Sequence, residues 1–197
     1  MGRRFVDLVW IALATALCAG CGTTAPSRFY TLDSTAAADG AAPTRCAVIV
    51  GPVSIPASVD RPEFVVQVAP NRVEIDEFNR WAAPLDQGIA SVVAQDLAVL
   101  LGTPQVATAP LANFSPDYRV TINVQRFDSI RAEAVIVDAV WAVQKTGSGP
   151  ARSGRTVARE AVQDGGFDAL AAAHSRALAT VAADIAAAIR ATSVAVR

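Results

Sequence analysis

The sequence predicts a mixed α/β sandwich: two helices on six or seven strands, with antiparallel hairpins in the later part. Three patterns point to it. Apolar residues recur at helical spacing in two stretches, Leu85, Ile89, Val92, Val93, Leu97, Leu100 and later Leu170, Ala173, Ala177, Val181, Ile185, Ala188. Tyr118, Val120, Ile122 and Val124 alternate with Arg119, Thr121, Asn123 and Gln125, the period of a half-buried strand. Turn-forming residues then separate runs rich in β-branched side chains.

The chain begins with Arg3 and Arg4 before an apolar run from Leu8 to Leu17, followed by the small residues Ala19 and Gly20 and then Cys21. A basic start, a short apolar stretch and a small-residue exit are the parts of an export signal. The run is about half the length needed to span a bilayer as a helix, so residues 1–20 are expected to be removed. Cys21 at the cut resembles a bacterial lipobox, although Cys18 stands where leucine is usual. Acylated Cys21 would then tie the protein to a membrane through residues 21–27, a small, polar tether in which Pro26 disfavours helix. Residues 28–197 form the expected domain.

Within it, residues 28–32 hold Phe29, Tyr30 and Leu32 and read as a strand. Residues 34–44 are Ala, Gly, Asp and Pro without apolar period and read as an exposed loop. Residues 45–55 form a buried strand ending before Pro56, and 64–69 with 72–75 a hairpin around Pro70 and Asn71. Pro84 suits the first turn of a helix and Gly102 its stop. Strand 132–145 joins strand 155–163 through the turn Gly147 to Pro150, and a final helix runs from Phe167 to about residue 191, with small residues that permit close approach.

Composition bounds the function. The chain has 17 basic and 18 acidic residues, and losing the signal leaves a net charge of −2, so nucleic acid is not an expected partner. Once Cys18 is cut away and Cys21 acylated, Cys46 stands alone in an apolar strand as an inert buried thiol, and no intramolecular disulfide can form. His174 is the sole histidine, on the last helix near its apolar stripe, and is expected to be packed rather than catalytic. No nucleophile elbow, zinc-binding helix motif, Cys-x-x-Cys or phosphate-binding glycine loop is present, so no catalytic residue, metal or cofactor is assigned.

Tyr30 and Leu32, then Gly51 and Pro52, then Arg61 and Pro62, then Trp81, Ala82, Pro84 and Leu85 follow one another after the lipobox-like cysteine. In that order they resemble the ABC-type transport auxiliary lipoprotein (PqiC-like) family, with its Tyr-x-Leu strand, Gly-Pro, Arg-Pro turn and Trp-Ala-x-Pro-Leu helix start. The resemblance implies a three-layer α/β sandwich with a mixed sheet, of the anticodon-binding-domain-like class. It also implies a periplasm-facing lipoprotein of the outer membrane, consistent with Gly22 rather than aspartate after Cys21. Its implied partners are a mammalian-cell-entry (MCE) type periplasmic protein and the ABC permease and ATPase that move lipid between membranes, and a homo-oligomeric ring is a further implication. The alternative is an envelope-assembly lipoprotein that regulates another periplasmic partner such as a cell-wall synthase. Trp81 is expected to act as a hydrophobic staple and Arg61-Pro62 as a turn opening a strand. Arg61 and Arg80 are the expected partner contacts, since arginine is enriched at interfaces.

Overall fold

The computed structural model describes residues 25–109, 114–147 and 151–194. The signal, Cys21 and the start of the tether lie outside the described residues, as does the 147–150 turn beyond Gly147.

The organising element is β6 (Tyr118–Ile130). It extends five residues beyond the expected strand, because the inward alternation continues through Phe127 and Ser129 past an irregularity between Val124 and Arg126. One edge pairs antiparallel along its whole length with β7 (Ala134–Lys145), through a turn in which Ala132 adopts φ 52°. β7 in turn pairs antiparallel with β8 (Arg152–Ala161). The other edge of β6 is divided. Its first half takes β2 (Val48–Ser54) in parallel, and its last residue, Ile130, pairs with Gln67 of β3 (Glu63–Ala69). β3 forms a hairpin with β4 (Arg72–Trp81) around Pro70 and Asn71, and β1 (Arg28–Tyr30) adds in parallel to β4. β5 (Val106–Ala107), too short to show in the sequence, pairs with β2. The result is a curled, mixed, eight-stranded sheet.

Both helices lie on one face of it. Helix α1 (Leu85–Leu101) buries Leu85, Ile89, Val92, Val93, Leu97 and Leu101, and α2 (Phe167–Val194) buries Leu170, Ala173, Ala177, Leu178, Val181 and Ile185. Beneath them point Val48, Val50, Val120, Ile122, Val124, Val135 and Val137, whereas Arg119, Asn123, Arg126 and Arg155 stand on the opposite face. The helices also contact each other. Among the described residues the architecture therefore has two layers, one sheet and one pair of helices, and not the three expected.

Close approach sets two glycines. Gly102 ends α1 at φ 62° with Pro43 against it, so that a Cβ would come within 3.0 Å of the proline ring. Gly154 faces Trp141, whose ring occupies the place a Cβ would take. Trp141 cannot yield freely, since its Nε1–H donates to Thr156 Oγ1 (3.0 Å), which donates to Asp184 Oδ2 (2.6 Å).

The expected loop 34–44 has no regular structure, but it is not free. It is a strap laid across both helices. The Asp33 amide donates to Ser175 Oγ (3.1 Å) on α2, while Ser34 Oγ and the amides of Thr35 and Ala36 all donate to Oδ1 of Asp96 on α1 (2.6, 3.1 and 3.0 Å). Further on, Asp39 pairs with Arg190 (2.6 Å) and the Thr44 amide reaches Leu101 O (2.8 Å). Asp96 is wholly buried, and that burial raises its pKa against the opposing effect of its three donors. A carboxyl with a raised folded pKa favours the fold when protonated, and this contribution is lost as pH rises through the folded value. Asp96→Asn keeps an Oδ1 acceptor and removes the buried charge, so at pH 7 it is expected within about 1 kcal/mol of wild type or above it. Asp96→Leu strands three donors and should cost about 2–3 kcal/mol in urea titration, with faster amide exchange at residues 35 and 36.

Candidate interaction surface

Most of the motif residues meet at one corner, where β1, the start of β3, the end of β4 and the start of α1 converge. Tyr30 and Trp81 are register partners, the Trp81 amide donates to Pro62 O (2.7 Å), and the Ala82 amide donates to Tyr30 O (2.9 Å). Trp81 stacks on Phe64 with centroids 4.2 Å apart, and Tyr30 and Phe167 meet Phe64 at 5.5 and 5.1 Å. Tyr30 Oη donates to Asn79 Oδ1 (2.8 Å), so this largely buried ring keeps its polar end satisfied. Pro84 is the N-cap residue of α1 and Leu85 is buried behind it, with Leu32 lying against Gly88 on the next turn. Trp81 thus ends a strand and anchors an aromatic cluster, where the sequence had led us to expect a staple on the helix. The difference arises because β4 continues to Trp81, pairing with β1, a strand 51 residues earlier in the chain. Gly51 and Pro52 lie elsewhere, at the register shift between β2 and β6, with a cis bond between them.

Behind the cluster sits His174, fully buried. Its ring is stacked on Phe127 (centroids 3.8 Å, planes 7° apart), and Nε2 is 2.8 Å from Ser129 Oγ. Nδ1 has no hydrogen-bond partner. The least costly neutral form therefore places the ring proton on Nε2, donated to Ser129, and leaves Nδ1 a bare lone pair. Burial pushes the pKa down to about 3, so the imidazole is neutral in the fold.

On the outer side of the same corner, Arg61 and Arg80 line one open cleft of about 520 Å³, together with Ala25, Ser27, Glu63, Ile75, Glu77 and Phe78. The structure thus brings together two arginines that are 19 positions apart. Arg80 pairs with Glu63, its neighbour across the β3–β4 ladder, and that guanidinium holds the Glu63 carboxyl below its ordinary pKa. With Glu77 also present, the charges in the cleft balance. Cys46 is buried with its Sγ 3.2 Å from Thr44 Oγ1, and among the described residues no group of three or more His, Cys, Asp or Glu could hold a metal ion.

Sequence reasoning missed Asp96, although a carboxylate between Val93 and Leu97 on the apolar stripe of a helix is a legible anomaly. It also missed Asp138, a largely buried acceptor for the Nε and Nη2 of Arg155 (2.9 and 2.6 Å) on the outer sheet face. Those hydrogen bonds hold its pKa down.

Fold and cleft together define a small two-layer α/β domain that presents an open cleft beside residues 25–27. The chain belongs to the family of ABC-type transport auxiliary lipoprotein components, whose model matches residues 30–186. No curated protein matches it. Among solved structures it is similar to an uncharacterized protein (22% identity, TM-score 0.69, covering 84% of this chain and 99% of that one). It is also similar to a Xanthomonas campestris protein of the DUF330 family (20% identity, TM-score 0.66, covering 80% of this chain and 92% of that one). At these identities the likeness is one of fold. Family membership gives the chain an accessory role in ABC-type transport in the cell envelope.

Proposed function

We propose that this protein is a non-enzymatic, PqiC-like accessory lipoprotein of an intermembrane lipid transport system, held at the outer membrane by acylated Cys21 and binding the MCE-type periplasmic component. The family match over residues 30–186 carries this reading, supported by the export signal and the lipobox-like cysteine before it. The domain takes its place among the anticodon-binding-domain-like folds, and several copies assemble into a ring. Among the described residues no helix is long and apolar enough to cross a membrane; the proposed anchor is acylated Cys21. Cys21→Ser is expected to abolish fatty-acid labelling and leave an uncleaved or soluble protein; unchanged labelling would end the lipoprotein reading.

Arg61 and Arg80 are the proposed contacts with the MCE-type component, now as one cleft rather than two separate turns. Reversing both charges should weaken copurification of that component. Arg80 and Glu63 are half-buried at the rim of an open cleft, where water and salt still screen a single pair and it adds little to stability. The melting temperature should therefore stay close to that of wild type. If copurification is unchanged at full stability, the contact lies elsewhere on the domain.

A further inference from the structure

Along the β1–β4 edge of the sheet runs a row of apolar side chains that the fold does not use. Phe29 is 63% exposed, Val73 54%, Ile75 46% and Phe78 39%. For Phe29, Val73 and Ile75 the direction follows from register, and Phe78 shares a cleft with Ile75. Phe29 alternates with the buried Tyr30, and Val73 and Ile75 stand opposite Gln67 and Val65, which alternate with the buried Phe64 and Val66. Exposed aliphatic and aromatic residues gathered along one sheet edge mark a contact surface rather than ordinary scatter.

The path of the chain identifies what the row meets. β1 is parallel to β4, so the backbone traced upstream from Phe29 runs toward the Arg72 end of β4, and Ser27 and Ala25 share a cleft with Phe78 and Ile75. Cys21 lies four residues before Ala25, no more than about 14 Å of extended chain. A lipid chain attached there must enter the bilayer next to this row. The neighbouring charges neutralise one another, Arg80 paired with Glu63 and Arg61 sharing the cleft with Glu77, so the row calls for no charged partner. Aromatic and aliphatic residues fringed by arginine are the composition that settles at the headgroup boundary.

We infer that the β1–β4 edge, through Phe29, Val73, Ile75 and Phe78, rests on the surface of the phospholipid bilayer that holds the protein. The inference rests on acylation of Cys21. It makes the tether short by design: the domain lies on the membrane with its helices turned away, and Arg80, opposite Phe29 in the ladder, stands at the rim of the bilayer contact with Arg61 beside it in the same cleft.

The test uses the full, acylated protein carrying Phe29→Trp, Phe78→Trp or, at the opposite sheet edge, Val157→Trp, reconstituted into phosphatidylethanolamine–phosphatidylglycerol vesicles with and without brominated acyl chains. Val157 is 58% exposed on β8 and serves as the control. Bromine should quench the added emission about twofold at positions 29 and 78, the depth of an interfacial contact, and leave position 157 unchanged. Equal, unquenched emission at all three positions in protein that floats with the vesicles would overturn the inference. So would loss of subunit number or of the MCE-type partner in a Phe29→Glu, Phe78→Glu double variant when the Trp variants at 29 and 78 show no bromine effect, since the row would then belong to another protein surface. If Cys21→Ser combined with Phe29→Trp still floats and is still quenched, the bilayer contact stands and the acylation reading falls.

Discussion

Replacing Trp81 by alanine is expected to cost about 3–5 kcal/mol, the range for deleting a large buried aromatic. Trp81 is 7% exposed, stacks on Phe64, and meets Phe127 and His174 edge-on with centroids 6.2 and 6.0 Å away. The indole also sits where β1, β3 and β4 are joined to the start of α1, so the void opens among four elements and cannot close by moving one. For a domain of this size about 4 kcal/mol corresponds to a fall in melting temperature on the order of 10 °C, read by calorimetry. Trp81→Phe keeps a ring against Phe64 and should recover much of that loss. A melting temperature unchanged in Trp81→Ala would show that the cluster does not hold the corner together.

The second large effect is a dependence on acid that comes from His174. Its pKa is about 3 in the fold, against an ordinary value of 6.5. The unfolded chain therefore binds the proton first, and stability from this group is complete above about pH 6.5 and declines as pH falls toward 3. The slope is about 1.4 kcal/mol per pH unit, and full burial allows a total of roughly 4–5 kcal/mol by pH 3. In His174→Phe the ring can remain stacked on Phe127 but cannot be protonated. The variant loses the hydrogen bond to Ser129 and so starts lower at neutral pH, yet its stability curve should lack this slope. Urea titrations of both proteins from pH 7 to pH 4 measure the difference; parallel curves would mean that His174 is protonated without penalty in the fold.

Both effects arise where the sequence was only half legible. Tyr30, Pro62 and Trp81 were recognisable as a set, and the apolar stripes of α1 and α2 and the alternation of β6 were readable because each repeats within a few residues. A helix or strand that buries one face must carry apolar residues at its own period, and that local demand is written in the order of residues. The bounds of α1, between Pro84 and Gly102, were legible for the same reason, since a fixed φ and a left-handed cap are local needs. The export signal and the lipobox-like Cys21 are likewise sequence features from end to end.

Contacts between distant segments were decided only in the folded chain. Period alone cannot say that β6 divides its second edge between β2 and β3, that both helices take the same face of the sheet, or that β4 runs on to Trp81. Burial of a polar group is of the same kind. Asp96 and His174 are tolerated in the interior because Ser34, Thr35, Ala36 and Ser129 arrive from 45 to 62 positions away to bond them. The cleft follows suit, since Arg61 and Arg80 become neighbours through a hairpin whose turn and pattern are local but whose docking against β1 is not. Sequence by itself determined the two helices, most of the strands with their periodic faces, and the family; the tertiary structure decided the full strand lengths, the buried polar groups and which faces meet, because those depend on closing long loops around a shared core.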